Sequence, residues 1–517
     1  MTTDNRGARL PKSSLPLPLV DRTWGGFILG AVCATAGVAT WSFVVGGSAA
    51  YYLDAKMGAV AMMAGGLIGQ LLVTLATVPI ATRHGVETVV STKPQLGVHG
   101  SIIGLFMLYA VALGWNTVLM IFFGRAVASV LVIFGLISAE SRTTAATIMS
   151  VVALVGIWLA VSRGASSLSK AGPILAALII GMSIWLMVIV IREFGTTAIS
   201  SAAPLEPYPG RLLNYTTVVE MLIASTFGWW GYMGGIVRMS STARKALLPS
   251  MLGLGFAWVA VALVSLFGAL ITGEPDPTVW VPEVAGESGA VIILVFIAAS
   301  NLGSTLVGAF VATLGVKQMR ILGPSRSWRA TVAVVLIPML IVLALFPGPF
   351  YDRVGVFMAF VGMMVGPLVG VQIVDWYVMH RRRTLQVSSL YINGPTSAYW
   401  YRNGFNPAGI GALVIGSGTY LLILNPYTLV PNSDLFQYIT ASLPAVAMGG
   451  ISYLILSKLF IRDAESATAP RATTARLASG KVDERADEWN PQETKGHVSR
   501  PNPDQHPTTP KKQGTHR

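Results

Sequence analysis

Long apolar segments with almost no charge recur along this 517-residue chain. A run of about 20 apolar residues is long enough to cross a lipid bilayer as a helix. Only 11% of the residues are charged, whereas a soluble protein carries about 25%. The sequence therefore predicts an all-α polytopic membrane protein with twelve transmembrane helices. The predicted limits are 24–52, 57–81, 100–124, 144–162, 172–191, 215–237, 246–271, 289–314, 329–346, 353–379, 406–425 and 437–460.

Lysine and arginine are distributed unevenly between the predicted loops. If the N-terminus is cytoplasmic, the loops on that side carry fifteen of these residues and the loops on the other side carry six. Because basic residues accumulate in cytoplasmic loops, we expect both termini in the cytoplasm and the chain in the plasma (inner) membrane. The same distribution explains the net charge of +13 as a feature of membrane orientation, and it predicts no nucleic-acid partner.

Motifs typical of enzymes and ATP-driven pumps do not occur in the sequence. It has no G-x-x-x-x-G-K-[ST] loop and no H-E-x-x-H, C-x-x-C or G-x-S-x-G motif. We therefore expect no catalytic activity and no cofactor. The single cysteine, Cys33, rules out an intramolecular disulfide, and its place in the first predicted span favours a buried apolar role.

Two predicted spans contain glycine clusters that weaken a helix by about 0.5–1 kcal/mol per glycine relative to alanine. The first reads GVATWSFVVGG over 37–47, and the sixth reads GWWGYMGG over 228–235. Interrupted helices at matching positions of two halves indicate the binding site of a secondary transporter, because the freed backbone groups can bind a solute or an ion. The alternative is that the glycines serve close helix packing. Their recurrence five spans apart favours the binding site.

Two stretches of the sequence carry a resemblance to a known family. The first reads PLVGVQIVDWYVMHRRRTLQVSSLYI over 367–392 and is followed by YWYRNGFNPAGIGAL, and the second begins LGVHGS at Leu96 and ends in GWN. The matching positions are Gly97, Gly100, Ser101, Gly114, Trp115, Pro367, Gly370, Ile373, Asp375, Trp376, Leu390, Tyr391, Tyr401, Gly404, Phe405 and Asn406. In these motifs the chain resembles the nucleobase:cation symporter family 1, the purine, cytosine and hydantoin or allantoin permeases, over roughly residues 20–460.

The resemblance implies the leucine-transporter-type fold, in which two inverted five-helix repeats are followed by two further helices. It implies a substrate between the first, third, sixth and eighth spans. Two positions depart from the family pattern, because Leu119 stands where some members have glutamine and Gly235 stands where many have aspartate, while Arg238 is kept.

This fold predicts a division of the chain into seven parts. They are a cytoplasmic tail over 1–23, a first repeat over 24–191, an extracellular loop over 192–214, a second repeat over 215–379, a cytoplasmic loop over 380–405, two further helices over 406–461 and a cytoplasmic tail over 462–517. The last part is rich in Pro, Thr, Ser and Lys and has few large apolar residues, so we expect it to be disordered.

A flat nitrogenous ring needs aromatic surfaces for its faces and a few polar groups for its edge. The resemblance implies that Trp115 is the stacking residue. In the sixth span, Phe227 and Trp230 share a helix face, whereas Trp229 does not. We expect Asn301, an amide in the apolar eighth span, to pair with the ring edge, the alternative being an interhelical hydrogen bond. Further candidates from the two breaks are Ser42, Phe43 and Thr226.

The coupling ion is expected to be Na⁺ or H⁺. A Na⁺ site would combine carbonyl groups of the first-span break with hydroxyl groups of the eighth span, because hard cations prefer oxygen ligands. The candidate residues are Gly37, Thr40, Ser300, Ser304 and Thr305. Glu220 is an acid inside the sixth predicted span, and it is a candidate proton carrier, a substrate partner or an interfacial residue.

These observations together predict a secondary active importer that works by alternating access. Its substrate would be a nucleobase or a related nitrogenous ring compound, such as cytosine, a purine, allantoin, a hydantoin or a vitamin. We expect it to function as a monomer. The alternatives are an amino-acid permease of the same fold, a channel without ion coupling and a sensor that binds without transport.

Overall fold

The computed structural model of the chain describes residues 15–163, 172–317, 327–379 and 385–460. The tail over 462–517, for which the sequence predicts disorder, and most of the predicted N-terminal tail lie outside the described residues. The same is true of the basic residues at 320, 326 and 381–383, which contribute to the predicted orientation.

Helices account for almost all of the regular structure in the described ranges. In chain order they are α1 (Gly26–Gly37), α2 (Trp41–Ala49), α3 (Ala55–His84), α4 (Lys93–Leu96), α5 (Ser101–Ile133), α6 (Arg142–Ser162), α7 (Gly172–Ser201), α8 (Arg211–Phe227), α9 (Trp230–Val237), α10 (Ala243–Met251), α11 (Trp258–Thr272), α12 (Pro277–Lys317), α13 (Trp328–Leu345), α14 (Pro347–Asp352), α15 (Val354–Val374), α16 (Pro407–Ile423), α17 (Phe436–Ile439) and α18 (Ser442–Phe460). Two π-helical segments, Leu252–Ala257 and Asp375–Met379, continue α10 into α11 and extend α15.

Among the described residues, nine helical segments are long and apolar enough to cross a membrane, and the bent pair α1 and α2 makes a tenth. The other two predicted spans correspond to α16, which has 17 residues, and to the pair α8 and α9. The all-α membrane architecture is therefore confirmed, and the total of twelve spans stays a prediction.

The first span is broken where the sequence predicts an interruption. The axes of α1 and α2 form a bend of 67°, and residues 38–40 link the two helices. Gly46 and Gly47 lie inside α2 rather than at the break. A Cβ atom on Gly46 would lie 2.0 Å from the carbonyl oxygen of Ala262, and one on Gly47 would lie 2.1 Å from that of Pro275. These two glycines therefore allow close packing of helices, which is the alternative interpretation that the sequence left open for the glycine clusters.

The interruption of the sixth span is short. Only Gly228 and Trp229 separate α8 from α9, and both keep right-handed helical backbone angles. The amide N–H groups of Gly228 and Trp229 donate to the carbonyls of Ser225 and Thr226, three residues earlier, at 3.1 and 3.0 Å. This tight turn shifts the register of the side chains without unwinding the helix.

Two spans extend beyond their predicted limits. The third, α5, continues to Ile133 rather than ending near residue 124, because Arg125 remains inside the helix and its charge is paired with Asp276 at 2.7 Å. The eighth, α12, begins at Pro277 and bends at Gly286, where φ is 65°. A short helix therefore precedes the membrane-spanning part of α12.

Glycines allow the helices that carry the site to pack closely. Gly308 of α12 lies against the carboxamide of Asn116 on α5, where a Cβ atom would lie 2.2 Å from Nδ2. The last two spans pack on α15 in the same way, since Gly370 contacts the carbonyl of Val446 and Gly416 contacts the side chain of Pro367. In a bilayer, small residues at such positions allow helices to approach closely.

Candidate functional site

Aromatic rings from five spans meet near the break of the first span and the interruption of the sixth. Trp41 is the first residue of α2, and its ring centroid lies 5.0 Å from that of Trp115, 6.0 Å from that of Trp229 and 4.6 Å from that of Trp258. Phe357 of α15 adds a fifth ring, 5.3 Å from Trp115 and nearly perpendicular to it. We call these five residues the aromatic cluster.

Trp115 lies where the resemblance implies. Its indole Nε1 is directly beside Gly228, because a Cβ atom on that glycine would lie 3.0 Å from it. The indole of Trp115 is half-buried. A ring on α5 thus contacts both the first-span break, through Trp41, and the sixth-span interruption, through Gly228.

The sixth span contributes Trp229 to the aromatic cluster, rather than the expected Trp230. Trp230 donates from Nε1 to Oε1 of Gln372 at 2.6 Å, and the ring of Phe227 lies beside Gly366. Phe227 and Trp230 therefore share a face, as the spacing predicts, but that face packs against α15. Trp229, half-buried, contacts Trp41 instead.

The smaller candidates at the two breaks are buried and engaged with their own helices. The hydroxyl of Ser42 donates to the carbonyl of Ala39 at 2.5 Å, and that of Thr226 donates to Leu222 at 2.7 Å. Phe43 is fully buried. Ser42 and Thr226 thus retain only their acceptor lone pairs for a ligand.

Asn301 joins the eighth span to the first-span break. The hydroxyl of Thr40 donates to Oδ1 of Asn301, and both residues are fully buried. Within the described residues, three polar atoms on this part of α12 have no hydrogen-bond partner, namely Asn301 Nδ2, Ser300 Oγ and Thr305 Oγ1. A buried polar group without a partner costs about 1–3 kcal/mol. Of these three, Asn301 is the residue linked to the aromatic cluster, because Thr40, its hydrogen-bond partner, precedes Trp41 in the chain.

The five residues expected to hold Na⁺ lie on two elements, Gly37 and Thr40 at the first-span break and Ser300, Ser304 and Thr305 on α12. Ser300 and Thr305 are five positions apart on one helix and so point about 140° away from each other. Asn301 contacts Thr40, and Thr305 lies one turn further along that side of the helix. Ser304, half-buried, lies one turn after Ser300. The oxygen donors suit a hard cation, and the Na⁺ site stays a prediction.

Glu220 has only 4% of its surface exposed and is therefore not at an open interface. Its Oε2 accepts hydrogen bonds from the backbone N–H groups of Ala441 and Ser442 at 3.0 and 2.9 Å, and its Oε1 accepts one from the Ser442 hydroxyl at 2.7 Å. The carboxylate thus caps the N-terminus of α18, where backbone N–H groups lack partners within the helix.

A cavity of about 450 Å³ lies between the ends of the first, sixth and tenth spans. Tyr51, Tyr52 and Glu220 line one part of it, and Asp352 and Met358 line another. Its volume is in the range of small-molecule sites, about 300–1,000 Å³. The cavity lies on the predicted extracellular side, and its lining does not include the five residues of the aromatic cluster.

The sequence reasoning did not identify Trp41 or the ion pair of Arg125. Trp41 stands inside the GVATWSFVVGG stretch, and its position next to the predicted break could have indicated that it belongs to the site. Arg125 pairs with Asp276, and its guanidinium carbon lies 3.9 Å from the centre of the Tyr351 ring. A partner so distant in the sequence gives no local signal.

Comparison with known proteins identifies the family. The family model described as permease for cytosine/purines, uracil, thiamine, allantoin matches residues 18–454. The chain belongs to this permease family. No curated protein matches the permease significantly.

Solved structures show the fold of the permease. An inward-facing structure of Mhp1 has a TM-score of 0.72 and 16% sequence identity, covering 88% of this chain and 96% of that one. Mhp1, a nucleobase-cation-symport-1 family transporter, in a closed conformation with bromovinylhydantoin bound, has a TM-score of 0.67 and 16% identity, covering 87% and 96%. A Na⁺-coupled sialic acid symporter has a TM-score of 0.51 and 12% identity, covering 84% and 91%. The predicted leucine-transporter-type fold is thereby confirmed.

The two departures from the family motifs lie in different surroundings. Leu119 of the permease is buried, with 4% of its surface exposed. Gly235 is exposed, and a Cβ atom there would meet open space. Arg238 pairs at 3.0 Å with Glu87, in the loop that follows α3. Burial raises the pKa of the Glu87 carboxyl, and the charge of Arg238 opposes that rise. In this permease the acid that pairs with Arg238 therefore comes from the loop after α3 and not from position 235 of the sixth span.

Proposed function

We propose that this permease is a secondary active transporter that imports a small planar nitrogenous ring compound. The compound would be a nucleobase, allantoin, a hydantoin or a ring-containing vitamin. The transporter would act as a monomer in the plasma (inner) membrane, with both termini in the cytoplasm, and would exchange access to the two sides by rocking of one helix bundle against the other.

One observation carries this proposal: the Trp115 indole contacts Trp41 at the first-span break and Gly228 at the sixth-span interruption. Thr40, the residue before Trp41, is bonded to Asn301, whose Nδ2 has no partner among the described residues. Aromatic faces beside a small number of unpaired polar atoms are what a flat, polar-edged ring requires. The compounds in the family description are of this kind, and bromovinylhydantoin, bound by Mhp1, is another.

In this proposal Trp115 stacks on the ring, a contact that is worth about 1–3 kcal/mol for a base on an aromatic side chain. Trp229 contacts the ligand in place of Trp230, because Trp229 belongs to the aromatic cluster and Trp230 does not. Asn301 donates from Nδ2 to an acceptor on the ring edge. Ser42, Phe43, Thr226 and Phe227 shape the surrounding wall without donating hydrogen bonds to the ligand.

We propose Na⁺ as the coupling ion. Its ligands would be oxygen atoms around Gly37, Thr40 and Thr305, on the side of α12 that faces the first-span break. Glu220 is less suited to carry a coupling proton, because both of its carboxylate oxygens are already engaged by Ala441 and Ser442 at the start of α18. The similarity in fold to a Na⁺-coupled sialic acid symporter supports this assignment.

Thermal unfolding of the purified protein tests the proposed substrate class. Cytosine, adenine, uracil, allantoin, hydantoin, thiamine and a set of amino acids would be compared with and without Na⁺. A ligand at 100 times its dissociation constant stabilises the folded state by about 2.7 kcal/mol, so at least one ring compound should raise the unfolding temperature, and more so with Na⁺. A rise with amino acids alone would contradict the proposal.

The matched variants are Trp115→Ala and Trp158→Ala. Trp158 is also half-buried, but it lies on α6 with its Nε1 donating to the carbonyl of Arg329, away from the aromatic cluster. We expect the rise in unfolding temperature to disappear in Trp115→Ala and to persist in Trp158→Ala. Equal loss in both variants would show that the effect of Trp115 is one of general stability.

A further inference from the structure

Trp41 occupies the centre of the aromatic cluster. It follows directly on Thr40, whose hydroxyl is bonded to Asn301, and only 6% of its surface is exposed. Its ring contacts those of Trp115, Trp229 and Trp258, which lie on the third, sixth and seventh spans. Residues 40 and 41 together therefore touch every helix around the candidate site except α15.

Two other rings lie against the Trp115 indole. Phe357 stands edge-on at 5.3 Å with an interplanar angle of 81°, and Trp41 lies at 5.0 Å with an angle of 54°. A flat ligand between two aromatic faces needs about 3.5 Å on each side, so the two faces must be about 7 Å apart. A ring compound can stack on the part of Trp115 that either neighbour covers only if that neighbour moves.

The surroundings of the two neighbours indicate which one moves. Phe357 lies over Gly114, where a Cβ atom would come within 2.1 Å of its ring, so α5 provides a close-fitting surface for it. Trp41 instead follows the non-helical link of residues 38–40, which is the hinge between α1 and α2. A small rotation at that hinge carries the Trp41 ring away from Trp115.

We propose that Trp41 is a substrate-contacting residue, and that a planar ligand stacked on Trp115 takes the place that the Trp41 indole occupies here. The displaced indole then covers the second face of the ligand. Because Trp41 is attached to the hinge, occupation of the site changes the angle between α1 and α2. This inference rests on the proposed function, since it takes the ligand to be a planar ring.

A direct consequence concerns the size of the ligand. Phenylalanine at position 41 would keep an aromatic face but would leave more space beside Trp115. We expect Trp41→Phe to bind adenine, with two fused rings, better relative to cytosine, with one ring, by about fivefold or more. A residue that acts only in packing would change the two affinities equally.

The experiment measures dissociation constants of cytosine, adenine, allantoin and thiamine for the purified full chain and for three variants. Trp41→Leu removes the ring and should weaken the tightest of these ligands about tenfold or more, as expected for the loss of one stacking face. Trp41→Phe should bind that ligand and change the ratio of adenine to cytosine affinity. Trp280→Phe is the control, because Trp280 is also fully buried but packs against Gly268 outside the aromatic cluster, and its affinities should equal those of the natural protein.

Two outcomes would overturn the inference, and they are distinguishable. If the natural protein binds one of the four compounds and Trp41→Phe binds all of them with unchanged affinities and an unchanged ratio, Trp41 does not contact the ligand, while the proposed function stands. If the natural protein binds none of them, the proposed function fails and this inference fails with it. Trp41→Phe decides the first case even if Trp41→Leu does not fold.

Discussion

Ser442, the first residue of α18, gives both its backbone N–H and its hydroxyl to the buried carboxylate of Glu220 on α8. The two residues are 222 positions apart. A sixth-span acid that the sequence marked as a possible proton carrier is thus tied to the start of the last span.

A structural role for Glu220 predicts that Glu220→Gln lowers the stability of the protein. The amide removes the charge that strengthens three hydrogen bonds, and the expected loss is about 2 kcal/mol. Thermal unfolding in detergent would measure it, with Glu206→Gln as the control because Glu206 is exposed. The pH dependence of uptake should not change. Unaltered stability together with loss of pH-dependent uptake would instead show that Glu220 carries a proton.

The unpartnered Nδ2 of Asn301 predicts a selective loss of affinity in Asn301→Ala. Losing one hydrogen bond to a buried ring edge should weaken ligand binding by about 1–2 kcal/mol, which is about a tenfold rise in dissociation constant. The control is Thr313→Ala on the same helix, because the Thr313 hydroxyl bonds only to the carbonyl of Ala309 in its own helix. Equal affinities in the two variants would place Asn301 outside the site.

The ion pair between Arg125 and Asp276 predicts coupled effects on stability. Arg125 is on α5, and Asp276 precedes α12 and also accepts hydrogen bonds from Thr278. The pair is partly buried, since the Arg125 side chain is 24% exposed and that of Asp276 is 9% exposed. Arg125→Gln and Asp276→Asn should each lower the unfolding temperature, because either change leaves the other charge without its partner. The double variant should lose less than the sum of the two.

Arg353→Gln is the matched control for that cycle, since Arg353 is exposed and lies over Tyr427 at the same end of the molecule. Its effect on stability should be small. Strict additivity of Arg125→Gln and Asp276→Asn would mean that the pair does not hold the short helix before Gly286 in place.

Lys93 predicts a rise in stability with pH. It lies in the loop between the second and third spans, where Nζ donates to the carbonyl of Leu390 at 2.6 Å and to Oδ1 of Asn393 at 2.9 Å. Burial lowers the pKa of Lys93 from 10.5 to about 8. Between these values the unfolded chain binds a proton that the folded protein has lost, so the free energy of unfolding should increase with pH.

The expected increase is about 1 kcal/mol per pH unit above pH 8. Thermal unfolding between pH 7 and pH 9.5 would detect it, and the slope should disappear in Lys93→Met. Lys245→Met, at an exposed position, should keep the slope of the natural protein. A slope that survives in Lys93→Met would assign the effect to another group.

The sequence was sufficient for features that depend on neighbouring residues. Apolar runs located the helices, and the glycine-containing stretch over 37–47 includes the break at residues 38–40. The motif around Trp115 placed that ring beside the breaks, because the motif carries tertiary information that a single sequence pattern lacks. Helical spacing also gave the shared face of Phe227 and Trp230.

Features that depend on distant residues were not accessible in the same way. Helical spacing could not show that the face of Trp230 packs on Gln372, so the sequence favoured Trp230 over Trp229. The sequence predicts that the third span ends at residue 124, because a charged residue such as Arg125 is typical of a loop. The ion pair with Asp276, which keeps Arg125 inside α5, is visible only in the structure. Trp41 could be assigned to the site only from the structure, because the rings that it contacts lie on the third, sixth and seventh spans.

The central claim is that this permease couples the import of a nitrogenous ring compound to a cation gradient. Uptake into proteoliposomes of the radiolabelled compound that best stabilises the protein tests it most directly, with an inward Na⁺ gradient, an inward H⁺ gradient or none. We expect the compound to accumulate above its external concentration under an inward Na⁺ gradient and to return to equal concentrations when an ionophore dissipates that gradient. Uptake that stops at equal concentrations under all three conditions would contradict the claim.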